Sequence, residues 1–252
     1  IIYANQRRID FKTNIDWRQK QILLKTAFPV DLRTTKATYE IQFRNVERNT
    51  HWNTSWDYAK FETVGHKWAD LSERDYGVSL LNDCKYGYDI KGQTMRLTLI
   101  KSGIYPDSEA DQGQHSFTYS LYPHGGDWFE GETVKEAYQL NYPLQTVISS
   151  ISLGEQPQQK SFIEVDAEST ILETVKKAEK SEALILRFYE YGNRRETVNV
   201  ELDFDFKEIK ECNLIEEDIA EVNFEHDSHE FEIKPYEIKT FKISSLTSSI
   251  KY

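Results

Sequence analysis

Alternation of apolar and polar residues dominates the first half of the chain. Ile9, Phe11, Thr13, Ile15 and Trp17 fall on one face of an extended segment, with Arg8, Asp10, Lys12 and Asn14 on the other. The same period of two recurs in Ala37, Tyr39, Ile41 and Phe43, set against Thr38, Glu40 and Gln42. It recurs again in Met95, Leu97 and Leu99, and in Phe117, Tyr119 and Leu121. A strand with one wet face is the signature of an antiparallel sheet. GVSLL (77–81) lacks a wet face and predicts a fully buried strand. GYDIKG (87–92) reads as a turn, and residues 102–113, rich in Pro, Gly, Asp and Ser, read as a surface excursion. Val134, Ala137, Tyr138 and Asn141 repeat at helical spacing and predict a short helix near 132–140.

The polar stretch around 149–160 ends the region that holds every tryptophan, and it sets an expected boundary between domains at 1–150 and 151–252. Beyond it, ALILRFYE, TVNVELDF and FEIKPYEIKTFKI read as strands of a compact β-sandwich. ILETVKKAEKS (171–181) fits both a helical and a hairpin pattern. The hairpin is preferred because ALILRFYE follows at once and sequential strands usually pair. His226 and His229, in FEHDSHEF, are expected in an exposed hairpin turn. The closing SSLTSSIKY is expected to fray. The fold class is therefore all-β.

Composition narrows the function. A formal net charge of −11 repels phosphate backbones and anionic lipid, so nucleic-acid and membrane-surface partners are not expected. No apolar run approaches the roughly 20 residues of a membrane helix. Two distant cysteines, Cys84 and Cys212, form no CxxC pair and fit a reducing, cytoplasmic compartment. The first residue is Ile1 and the only methionine is Met95, so the chain is expected to be a piece of a longer polypeptide.

One segment resists a regular reading. HWNTSWDYAKFETVGHKWADLSE (51–73) holds three of the five tryptophans, two of the six histidines and four carboxylates, with no single period running through it. Together with LLNDCKYGYD (80–89) and YPHGGDW (122–128), it contains most side chains able to do chemistry. Sugar sites set flat aromatic faces against C–H-rich ring faces while polar groups grip hydroxyls. Trp52, Trp56, Trp68, Tyr86, Tyr88 and Trp128 are of the platform type; Asn53, Asp57, Asp70, Asn82, Asp83, Lys85 and His124 are of the gripping type. The same residues equally suit aromatic plugs and buried polar networks that hold long loops in place.

Metal and hydrolytic signatures are weaker. His66 with Asp70, His124 with Asp127, and His226 with His229 lie three or four residues apart, but none extends to HExxH or a paired CxxC. Carboxylate pairs such as Asp57 and Glu62, or Asp83 and Asp89, are expected by chance among 42 acidic residues. No catalytic residue and no metal ligand is assigned within the chain.

The segments RNTHWNTSWDYAKFETVGHKWADLSE, YGVSLLNDCKYGYDIKG and ADQGQHSFTYSLYPHGGDW closely resemble the C-terminal region of glycoside hydrolase family 38 α-mannosidases. They look most like the branch shared by bacterial, vacuolar and cytosolic members. RRIDFKTNIDWRQKQILLKTAFPV and EIKPYEIKTFKI resemble that family in the same order. The resemblance implies the distal part of a galactose-mutarotase-like β-supersandwich over 1–150 and a C-terminal β-sandwich over 151–252. It also implies a retaining mechanism whose aspartate nucleophile and zinc, or another divalent metal, belong to an N-terminal catalytic domain. The segment alone is then inactive. Its implied partners are that catalytic domain and mannose-containing oligosaccharides, with a second copy able to complete open sheet edges. The positions implied to face the sugar cleft or the neighbouring domain are Asn82, Asp83, Lys85 and Tyr86, then His51, Asn53, Trp56 and Asp57. An independent carbohydrate-binding module and a purely structural domain are the alternatives.

Overall fold

A computed structural model of the chain describes residues 1–150, 154, 157–222 and 228–245. The chain divides into two compact units, Ile1–Val147 and Ile148–Tyr252. The fold is all-β, in antiparallel sheets.

The first unit runs β1 (Ile9–Trp17), β2 (Leu23–Pro29), β3 (Lys36–Ile41), β4 (Arg44–Asn49), α1 (Ser55–Ala59), β5 (Thr63–Val64) and β6 (Trp68–Ser72). It continues with β7 (Tyr76–Asn82), β8 (Gly87–Lys91), β9 (Thr94–Lys101), β10 (Gly113–Gly125) and α2 (Thr133–Asn141). A six-stranded sheet has the order β1-β10-β7-β6-β3-β4, and a four-stranded sheet the order β2-β9-β8-β5. Their facing side chains, among them Tyr39, Leu71, Leu80, Tyr88, Met95 and Leu97, form one core.

The helix α2 packs on the other face of β6 and β7. This explains the continuous burial of β7 after Tyr76: Val78 and Leu80 face the second sheet, while Gly77, Ser79 and Leu81 face the α2 side. That side is polar inside. Asp10, on the face of β1 expected to be wet, is only 3 % exposed and accepts from Arg8 Nε at 2.8 Å and from Ser120 Oγ at 2.7 Å. Arg8 also donates to the Glu136 backbone oxygen of α2 at 3.1 Å. The helix thus covers polar groups that would otherwise be wet. Glu40 departs from its expected wet face for a similar reason: it is buried and holds Lys67 through both the backbone N–H and Nζ.

Two further expectations are corrected. Residues 87–91 are the strand β8, not a turn. Tyr88 and Ile90 alternate into the core, and only Gly92, at φ +55°, with Gln93 makes the turn into β9. Phe43 is not a strand residue; with Gln42 it forms the β3–β4 turn, at φ 56°. The irregular segment 51–73 contains three short regular elements, α1, β5 and β6. Being so short, they share no common period.

The second unit comprises β11 (Ile163–Asp166), β12 (Thr170–Lys177), β13 (Leu184–Glu190), β14 (Glu196–Leu202), β15 (Phe206–Cys212), β16 (Asp218–Val222), β17 (Ser228–Ile233) and β18 (Ile238–Ser245). Sheets β11-β14-β17 and β12-β13-β18-β15-β16 share a core that includes Leu186, Phe188, Val198, Phe231, Phe241 and Ile243. The preferred hairpin reading holds, since β12 pairs antiparallel with β13. Buried Glu190 closes that sheet end by accepting the backbone N–H of Asn193 at 3.0 Å and of Tyr236 at 2.9 Å. His229 lies not in a turn but in β17, its ring 5.7 Å from that of Phe231. His226, the closing residues 246–252 and part of the expected boundary segment lie outside the described residues.

Candidate functional site

The eight candidate positions fall into two groups, both in the first unit. The first group surrounds α1. Thr54 caps this helix: its hydroxyl accepts from the Asp57 N–H at 3.1 Å and donates to Asp57 Oδ2 at 2.7 Å. Asn49 donates to Asp57 Oδ1 at 3.2 Å, and His51 Nδ1 lies 3.7 Å from Oδ2. The Thr54 hydroxyl first, and the Asn49 amide second, hold the Asp57 carboxyl below the usual carboxylate range. Asp57 therefore remains an acceptor at neutral pH. His51 Nδ1 accepts from the Asn53 N–H at 3.3 Å, and Trp56 is 81 % exposed.

The second group is the tight passage from β7 to β8. Asn82 has no exposed surface. Its amide donates to the His66 carbonyl at 2.8 Å and to the Tyr88 hydroxyl at 2.5 Å, and its oxygen accepts from the Lys85 N–H at 2.6 Å. That side chain is spent inside the protein and offers no face to a sugar. Asp83 Oδ2 accepts from the Thr118 N–H at 2.9 Å, whereas Oδ1 is buried without a hydrogen-bond partner among the described residues. Lys85 Nζ stands 4.5 Å from the Phe117 ring centroid. Tyr86 is half-exposed beside His66, ring to ring at 5.2 Å.

Cys84 sits among them, exposed and free. Burial of part of the thiol, and then the adjoining Asp83 carboxylate, push its pKa up to about 11. Alkylation by iodoacetamide at pH 8 should therefore run on the order of a hundredfold slower than for an unperturbed thiol, accelerating as pH approaches that value. A pH 8 rate equal to that of a small-molecule thiol would show that neither burial nor Asp83 acts on it.

Tyr88 links the two groups. Its hydroxyl is held by Asn82, and the residue also lines an open cleft of about 160 Å³ beside α1, together with Asp57, Tyr39, Arg48, Phe61 and Asp89. Burial, its largest influence, raises the Tyr39 hydroxyl to about 12, so it stays a neutral donor and acceptor. Arg48 and Phe61 escaped the sequence reading, which took Tyr39 for a strand residue and Asp89 for part of a chance carboxylate pair. Arg48 was detectable in principle. Val46 and Arg48 share one face of β4 beside Tyr39, so a cation stands on an apolar face once the two-residue turn at Gln42 and Phe43 is placed.

Of the other residues of platform or gripping type, Trp52 is exposed, Trp128 is partly buried, and Trp68, Tyr88, Asp70 and His124 are internal. Trp68 is 1 % exposed and stacks on Trp128 at 5.3 Å. Asp70 meets His124, not the His66 four residues earlier: His124 Nε2 lies 2.8 Å from Asp70 Oδ2, and both residues are buried. Among the described residues no three of His, Cys, Asp or Glu are gathered so as to hold a metal ion. Among the same residues no helix is long and apolar enough to cross a membrane.

Comparison with known proteins agrees with this architecture. Residues 1–109 match the glycosyl hydrolases family 38 C-terminal domain, and residues 169–241 match that family's C-terminal beta sandwich domain. Alpha-mannosidase G of Dictyostelium discoideum is 44% identical over 97% of this chain, and alpha-mannosidase 2C1 of Homo sapiens 40% identical over 82%. The chain spans only 23% and 20% of their respective lengths. The crystal structure of an alpha-mannosidase from Enterococcus faecalis V583 superimposes over 94% of this chain and 27% of its own, with a TM-score of 0.78 at 18% identity. That likeness establishes the shared fold. The chain belongs to glycosyl hydrolase family 38, whose C-terminal domains it matches.

Proposed function

We propose that this chain is the non-catalytic C-terminal β-region of a retaining α-mannosidase that removes terminal α-D-mannose residues from oligosaccharides. In this reading the chain braces the catalytic domain of the same polypeptide and shapes its sugar cleft. The observation that carries it is the identity to α-mannosidases along almost the whole chain, which matches less than a quarter of their length. Zinc and the nucleophile belong to the remainder. The working compartment is the cytoplasm, the partners are that catalytic domain and mannose oligosaccharides, and pairing with a second copy would cover open sheet edges. Neither nucleic acid nor membrane is a partner.

The first unit's surface supports this role. Trp52, Trp56, Tyr58 and Phe61 are all more than half exposed within a short stretch around α1. Such a concentration of aromatic surface marks a contact or ligand face. The purified chain is expected to release no aryl alcohol from an aryl α-mannoside. The same chain joined to a zinc-binding family 38 catalytic domain is expected to release it. Turnover by the isolated chain that survives repeated purification and chelation would overturn the assignment.

A further inference from the structure

Arg48 stands out in the first unit. Its guanidinium carbon lies 4.6 Å from the centre of the Tyr39 ring, and Nη1 is buried without a hydrogen-bond partner among the described residues. A buried charged donor left unpaired is costly, and it persists where something else can meet it. Its surroundings are those of the 160 Å³ cleft, where Asp57, Thr63 and Asp89 supply oxygens.

The lining selects a ligand class by charge. Four carboxylates and three cations share the walls. A phosphate or carboxylate ligand would face the carboxylates, and an organic cation would face Arg48. A neutral molecule with many hydroxyl groups can donate to the first set and accept from the second. The apolar side of the site is equally specific. Phe61, 72 % exposed, forms part of the wall; Tyr58 lies edge-on to it at 6.1 Å, and Trp52 edge-on to Tyr58 at 6.2 Å. Lys91 Nζ reaches within 5.7 Å of the Trp52 ring centre. A run of exposed rings, each edge-on to the next, thus continues from the wall of a polar hollow. Polyol hydroxyls suit the hollow, and C–H-rich ring faces suit the row.

We infer that this cleft is a carbohydrate-binding site of the chain itself: it takes one pyranose unit of a neutral oligosaccharide against Arg48, Asp89 and Phe61, with further units along Tyr58 and Trp52. The cleft stands apart from the mannosidase reading; only the choice of mannosides as first probes rests on it. Asp57 and Tyr88 gain a shared role, since both border the hollow.

The test is calorimetric titration of the 252-residue chain with α-linked mannobiose, mannotriose, maltotriose and inorganic phosphate, each variant checked for folding by circular dichroism. Saturable binding of the mannosides is expected in roughly the millimolar range, the triose ahead of the biose. Arg48→Met, which keeps the stem over Tyr39, and Phe61→Ala, at an exposed position, should each weaken binding by about tenfold or more. Tyr105→Ala should leave it unchanged, since Tyr105, 91 % exposed, lies outside the cleft lining. Failure of the folded chain to bind any of the sugars would overturn the inference. Equal affinity in both cleft variants, or displacement of sugar by phosphate, would do the same. Loss of this site alongside α-mannoside hydrolysis by the joined polypeptide would leave the proposed function standing. Binding of maltotriose in place of mannotriose would uphold the cleft and count against the mannoside reading.

Discussion

Replacing Asp70 by alanine is expected to destabilise the first unit by about 3–5 kcal/mol, the range seen when one partner of a buried polar or ionic group is removed. All five tryptophans lie in that unit, so their fluorescence in a urea titration follows its unfolding directly. The cause lies in where the protons can go. A carboxylate only accepts, so Ser79 Oγ, 2.8 Å from Asp70 Oδ2, must donate to it, as must His124 Nε2 at 2.8 Å. The Ser79 hydroxyl proton is then used, and Thr133 Oγ1, 2.7 Å away at the start of α2, donates to Ser79 in turn. Ser72 supplies a third donor, to Oδ1. Asp70 is thus the single sink of a chain that ties β6, β7, β10 and α2 together. Alanine would take the shared acceptor from three donors, two of which, on His124 and Ser79, are buried. An asparagine at this position keeps one oxygen to accept but points an N–H₂ group at donors, so Asp70→Asn should fall between the wild type and alanine. An Asp70→Ala midpoint within error of wild type would show that the chain of bonds holds nothing. The same pocket has no room to adjust: a Cβ on Gly77 would stand 2.3 Å from His124 Cε1, and one on Gly131 2.4 Å from its Nδ1.

How far the sequence revealed this molecule depends on what each strand faces. β1, β9, β10 and the β12–β13 hairpin were legible because alternation runs over five or more residues with no Gly or Pro inside it, or because the two strands adjoin in sequence. β8 was misread because Gly87, Asp89 and the Gly92 just beyond its end outweighed a five-residue alternation of Tyr88 and Ile90. β6 was hidden for a different reason. It is buried on both faces, but one face is polar: Trp68, Asp70 and Ser72 look toward α2, Ala69 and Leu71 toward the core. A buried polar face reads like a solvated or catalytic one until the covering helix is known. This is why Asp70, His124 and Trp68 looked like parts of a sugar site. Asn82 shows the same confusion at one residue, since three internal hydrogen bonds use up the amide that appeared free to grip a ligand. The cleft was only half visible. Asp57 was nominated, but Arg48 and Asp89 reach it from separate strands, and no spacing along the chain relates residues that meet across a fold.

Trp68→Ala should cost about 3–5 kcal/mol of stability in the first unit, the range for emptying a large buried aromatic site. It should leave sugar binding untouched in whatever fraction remains folded. Trp68 pairs with Leu81 across β6 and β7, is 1 % exposed and stacks against Trp128, with the ring planes 25° apart. Its removal opens a cavity between β6 and the loop that carries Trp128, and neither element can close it without losing register. Phenylalanine refines the test. The Trp68 indole N–H is buried with no hydrogen-bond partner among the described residues. Trp68→Phe therefore sheds an unsatisfied donor while keeping most of the stacked surface, and its cost should be well below that of alanine, about 1–2 kcal/mol. If Trp68 were instead a sugar platform, both substitutions would abolish mannoside binding at full stability. Denaturation and titration of the same two variants separate the possibilities, because burial acts on the midpoint and ligand contact acts on the affinity.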